Sequence, residues 1–137
     1  MRWLRVLLVV ALLALGACGG DGGDDGGGSA AGFCDAQAQN QRALASQRPT
    51  GDRAQLQELY RQLDDGLDRA VERAPGEIRD DLQTVAGAYK PFLQELRRVD
   101  YDFAKLNFQS PVFQRLQSQD VQAAATRISE YYEKACA

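Results

Sequence analysis

The chain contains no histidine. Without an imidazole, the Ser-His-Asp and Cys-His arrangements of nucleophilic catalysis are excluded, as are the usual zinc sites and the Glu-x-x-His motif of di-iron bundles. Methionine occurs once, at Met1, which excludes a His/Met haem bundle. Glycine is scarce beyond residue 32, where only Gly51, Gly66, Gly76 and Gly87 remain, and no Gly-rich phosphate loop precedes a helix. Strand-type alternation is missing from the same stretch. Basic clusters are missing too: residues 33–137 hold 14 Lys plus Arg and 16 Asp plus Glu, a net charge of −2, with the signs alternating along the chain. Nucleic acid is therefore not an expected partner, because neutralising phosphates requires clustered basic side chains.

What is present begins with an export pattern. Arg2 and Arg5 precede an unbroken apolar run from Val6 to Leu15. A spanning helix needs about 20 apolar residues, so this run is too short to remain as a membrane span. Gly16 and Ala17 then offer an unhindered backbone before Cys18. The run Leu15-Gly16-Ala17-Cys18 resembles the lipobox of bacterial lipoproteins. That resemblance implies a signal peptide over residues 1–17, cleavage ahead of Cys18 and a thioether-linked diacylglycerol on Cys18. Plain secretion with an incidental cysteine is the alternative. Residues 19–32 contain eight Gly, with Asp21, Asp24 and Asp25 among them. No apolar period exists there, and no Glu closes a calcium loop, so 18–32 reads as a lipidated cysteine followed by a solvated tether.

The remaining 105 residues, 33–137, are enough for one domain with its own core. A first helix is expected from Asp35 to about Gln47, with a thin apolar face of Phe33, Ala36 and Leu44. Arg48-Pro49-Thr50-Gly51 is a turn signal. Asp52, with Gln55 three residues on, suggests a capping box for a second helix over Arg53 to Arg73. Pro75 fits a first helical position for a third helix. Its apolar stripe runs from Ile78 through Leu82, Leu93 and Leu96 to Phe103 and Leu106, with a kink expected between Gly87 and Pro91. Ser110 and Pro111 open a short helical piece, and Asp120 caps a last helix. One continuous helix from Pro111 is the alternative. These amphipathic segments are not stable alone at their length, and short connections make neighbours antiparallel. The expectation is an all-α, up-down-up-down four-helix bundle.

Cys34 and Cys136 flank this domain. An even number of antiparallel helices brings both chain ends to the same end of a bundle, so the two cysteines are placed to meet. Export puts them in an oxidising compartment. Closing a loop of this length contributes about 4–5 kcal/mol in the chain-entropy account. A redox-active or metal-binding pair is the alternative, although there is no CxxC motif and no His to complete a metal site.

Carboxylate pairs Asp64-Asp65 and Asp80-Asp81 lie on helices, where adjacent side chains diverge by about 100° and do not converge on one site. The segment around Tyr101, Phe103, Phe108 and Phe113 is the candidate aromatic patch, either a docking surface or a seal on the bundle end.

The layout as a whole resembles small predicted bacterial lipoproteins of the actinobacterial type. The likeness rests on Leu15-Gly16-Ala17-Cys18, Phe33-Cys34, Ala74-Pro75-Gly76-Glu77-Ile78 and Ile128-Ser129-Glu130-Tyr131-Tyr132. It implies a lipid-anchored domain on the extracytoplasmic face of the cell membrane and carries no activity, catalytic residue, cofactor or metal. The expected role is a non-enzymatic interaction module with an envelope-protein partner. A small-ligand protein with a pocket near Pro91, lined by Tyr89, Phe92, Tyr101 and Phe103, is the second reading, and an enzyme is the third.

Overall fold

The computed structural model describes residues 28–46 and 52–137. Within them lie α1 (Ala30–Ala45), α2 (Arg53–Glu72), α3 (Arg79–Arg98), a 3-10 turn (Phe103–Lys105), a short α4 (Pro111–Leu116) and α5 (Gln119–Ala135). The described residues include no strand. The long helices form an up-down-up-down ring: α1 lies along α2, α2 along α3 and α3 along α5, and α5 closes back on α1. The short α4 packs on α3 and α5. The signal segment, Cys18 and tether residues 19–27 lie outside the described residues.

Several helix ends differ from expectation, each for a local reason. α1 starts at Ala30 rather than Asp35, because Ser29 is its N-cap and the Ser29 Oγ accepts from the Gly32 N–H at 3.0 Å. Ala30, Ala31 and Gly32, which composition assigned to the tether, are therefore helical. Asp52 does hold the N-cap position of α2 with extended backbone, but its carboxylate makes no capping bond. Pro75 does not open α3. It begins a turn in which the Ile78 N–H donates to the Pro75 carbonyl at 3.1 Å, and the helix starts at Arg79. Ser118, not Asp120, is the N-cap of α5, and Asp120 sits in the first turn, where the helix dipole favours a carboxylate. The chain breaks at Gln117 and Ser118, so α4 and α5 are separate helices.

The apolar stripe of α3 reaches Leu106 in sequence, but the helix ends at Arg98. Asp100 and Tyr101 adopt left-handed backbone, with φ of 55° and 59°. The Tyr101 N–H donates to the Leu96 carbonyl at 2.8 Å and the Asp100 N–H to the Arg97 carbonyl at 3.0 Å. This bond pair is a Schellman stop, made here without the usual glycine. Pro91, in contrast, is carried inside α3 without ending it.

Two apolar clusters build the core. Phe33, Ala70, Ala74, Ile78, Leu82, Ile128, Tyr132 and Cys136 fill one end. Leu93, Leu96, Val99, Leu106 and Phe113 fill the other. At the first end Cys34 and Cys136 are disulfide-bonded, with their Cα atoms 5.5 Å apart. Phe33 is completely buried beside them, its ring edge-on to Tyr131 at 5.9 Å.

The two mid-helix glycines behave differently. Gly66 is buried against α1, where a Cβ would come within 3.0 Å of the Asn40 side chain. Asn40 is held there from two sides, by its own Nδ2 bond to the Gly66 carbonyl at 3.2 Å and by Arg69 Nη2 at 2.8 Å. At Gly87 a Cβ would meet nothing within 4 Å. Gly87→Ala is therefore expected to stabilise the domain by up to about 1 kcal/mol through helix propensity. Gly66→Ala is expected to destabilise it by about 1 kcal/mol, because overpacking outweighs that gain. Urea denaturation of both variants checks the opposite signs, and adding Asn40→Ala to Gly66→Ala should remove the penalty.

Candidate functional site

The Schellman stop after α3 decides where the aromatic residues go. It turns the chain so that Tyr101 stacks on Tyr60 of α2, with ring centroids 6.0 Å apart and planes 28° apart. The following turns are held by local side-chain bonds. Asp102 Oδ1 accepts from the Ala104 N–H at 3.1 Å, and Asn107 Oδ1 accepts from the Gln109 N–H at 3.0 Å. These place Phe103 6.2 Å from Tyr60, and Phe108 4.9 Å from Phe113. Phe92 of α3 joins the two groups, with Tyr60 at 6.4 Å, Tyr89 at 5.8 Å and Phe113 at 5.5 Å.

All four residues of the expected patch thus belong to one network of seven rings at the end of the bundle away from the disulfide. They divide in burial. Phe113 is core, and Tyr101 is partly covered. Phe103 and Phe108 are the large hydrophobic side chains left open among the described residues, at 41% and 48% exposure. Tyr60 was not foreseen as part of the patch. It lies far from Tyr101 in sequence, and only the antiparallel pairing of α2 with α3 brings the two together. The rings near Pro91 pack edge-on against one another. An open groove of about 460 Å³ lies instead at the opposite end, between Ile78 and Asp81 on one side and Arg127, Glu130 and Tyr131 on the other.

The charges around the aromatic end are internally paired. Arg53 Nη1 meets Asp100 Oδ2 at 2.6 Å, and Lys105 Nζ meets Asp102 Oδ2 at 3.3 Å. Beneath them, a network ties α2 to α3. Lys90 Nζ bridges Asp64 at 3.0 Å and Asp68 at 2.8 Å, while Arg97 Nη2 bonds the other oxygen of Asp64 at 2.5 Å. Burial pushes the Asp64 carboxyl up, but the bonds from Arg97 and Lys90 outweigh it and leave its pKa below the ordinary value. The Asp68 bond holds Lys90 above its ordinary value. Burial raises the phenols of Tyr60 and Tyr89, so both stay neutral at pH 7.

The carboxylate pairs diverge. Asp64 faces α3, whereas Asp65 bonds Arg61 at 2.6 Å on the surface. Asp81 takes three bonds from Arg127, at 3.1 Å, 2.9 Å and 2.6 Å, while Asp80 is exposed. Arg69, between these pairs along the chain, turns to Asn40. Among the described residues, no group of three or more His, Cys, Asp or Glu is placed to hold a metal ion, and no helix is long and apolar enough to cross a membrane. No family model, curated protein or solved structure matches this chain.

Two outcomes follow from this geometry. Asp64 has its pKa lowered on folding, so its stabilisation is present above the unfolded value and lost as pH falls through the folded value. The urea midpoint should therefore fall as pH is lowered through and below the ordinary carboxylate range, and Asp64→Asn should show a smaller fall. The exposed rings should matter less to folding than the buried one. Phe103→Ser and Phe108→Ser are expected to cost about 1–2 kcal/mol each, through the ring contacts and covered area they lose, whereas Phe113→Ala should cost about 3–5 kcal/mol.

Proposed function

We propose that this chain is a lipid-anchored extracytoplasmic lipoprotein, held at the cell membrane through Cys18, whose helical domain docks an envelope protein through its aromatic end. The observation that carries the reading is the exposure of Phe103 and Phe108 on top of an otherwise filled ring cluster. The core beneath them is already closed by Leu106 and Phe113. Large exposed aromatic residues are the side chains that anchor protein interfaces, where their burial supplies most of the binding energy.

The address rests on Leu15-Gly16-Ala17-Cys18, and a disulfide between Cys34 and Cys136 suits the oxidising compartment that the address implies. Polarity along the bundle supports the assignment of ends. The chain enters the domain at Ser29, at the disulfide end. The aromatic end lies one helix length away, about 30 Å for 20 residues, and so points away from the tether. Paired charges leave that end without a strong field of either sign, which favours an apolar contact over an ionic one.

Two measurements test the two halves of the proposal. Intact mass of the purified protein should show lipid on Cys18, and Cys18→Ala should release the protein to the medium; an unchanged membrane fraction removes the anchor. Envelope extract passed over immobilised protein should yield a partner that is lost at least about tenfold in Phe103→Ser/Phe108→Ser, equivalent to about 1.4 kcal/mol. Equal retention by the double variant places the partner's contact elsewhere and removes the aromatic docking surface.

A further inference from the structure

We propose that the Cys34–Cys136 disulfide is a redox-sensitive latch on α1, and that reducing it releases α1 while α2, α3 and α5 stay folded together. The helices differ in what holds them. α3 buries Leu82, Leu93 and Leu96, and α2 buries Ala70 and packs Tyr60, Leu67 and Val71 against the two core clusters. α1 buries only Phe33 and Ala36 of its apolar side chains, and it also buries the amide of Gln37. Polar bonds also tie it to the bundle: Asn40 with the Gly66 carbonyl and with Arg69, and Gln41 Nε2 with the Tyr132 hydroxyl at 3.1 Å. Such bonds gain little net free energy, because water replaces them when the helix leaves. α1 lies chiefly along α2, and its seam with α5 is much the smaller. A helix of 16 residues is marginal by itself in water. The covalent bond, joining the second turn of α1 to the residue after α5, is thus the tie that closes the ring of helices.

The chemistry is thiol–disulfide exchange with a dithiol reductant. Cys34 is half-buried and Cys136 buried, so the reductant thiolate attacks the Cys34 sulfur and Cys136 leaves as the thiolate. The second thiol of the reductant then displaces Cys34. Two electrons have passed: the reductant becomes a disulfide, and Cys34 and Cys136 become two thiols. Release of α1 uncovers Ala70 and Ala74 from one side and Ile128 and Tyr132 from the other. It also transfers residues 30–46 from the domain to its tether, which lengthens the reach of the aromatic end. That last consequence rests on the lipid-anchor reading, whereas the latch does not.

Hydrogen exchange of the full chain, read helix by helix by mass spectrometry, tests the latch. It is measured on the oxidised protein, on the same protein in dithiothreitol, and on Cys34→Ala/Cys136→Ala. In both disulfide-free samples the amides of α1 should exchange at least about 100-fold faster, while those of α2, α3 and α5 stay within about 10-fold of the oxidised protein, and a comparable loss in α2 overturns the proposal. Reoxidation of the wild-type protein should restore protection of α1. Unchanged protection of α1 overturns the proposal. So does an equal loss across α1, α3 and α5, because the bundle would then open as one unit. Membrane retention of Cys18→Ala reports on the anchor alone, so the two readings fail separately.

Discussion

Leu82, Ala86, Leu93 and Leu96 take one face of α3 out of water, and the other long helices arrange themselves around that face or around what it touches. α3 packs on α2 and α5 and also receives α4, and both core clusters run through it. Burial at roughly 25 cal/mol per Å² makes such a stripe the dominant favourable contribution in a domain of this size. The polar contacts between helices are arranged alongside it rather than instead of it. Asp64, Lys90 and Arg97 fix how α2 lies on α3, and Asp81 with Arg127 fixes α5 on α3. Exposed pairs of this kind add little stability, and their contribution is to register.

The two ends of the bundle are built on different principles. One end is closed covalently, with Phe33 sealed beside the Cys34–Cys136 bond. The other end is closed by aromatic packing that stops short of covering Phe103 and Phe108. The difference follows from where the chain ends and turns lie. Both ends of the domain's chain meet at the covalent end, so a cross-link can join them. The aromatic end is made of a connection, and the left-handed residues Asp100 and Tyr101 fold that connection back across α2. A non-glycine residue in this conformation is uncommon, and for a ring as large as Tyr101 it is an outlier. Its stack on Tyr60 and the two Schellman bonds hold it in place.

Much of the fold was legible because the helical period is long and clean. α2 and α3 carry apolar residues at regular helical spacing, and Pro-containing breaks separate them. The helix ends were less legible, since an end depends on which of several capping residues is used. Ser29 was masked by its glycine-rich surroundings, and Ser118 competed with Asp120 two residues later. The stop after Arg98 carries no glycine, and the apolar stripe continues in sequence through Phe103 and Leu106. In the candidate site, the four residues on the connection could be named from their clustering. Tyr60 could not, because its membership depends on pairing between helices, and neither could the division into covered and open rings.

The amino-acid sequence by itself determined the helical class, the absence of imidazole chemistry, the cysteines that flank the domain and the Leu-Gly-Ala-Cys run ahead of it. Each of these is a matter of residue identity, local period or order along the chain. Tertiary structure alone decided that Gly66 is a contact point rather than a weakness, that α1 rests on few apolar groups, and that Phe103 and Phe108 remain open while Phe113 does not. Those facts are set by which surfaces meet, and a surface is covered or left open only once all the helices have taken their places.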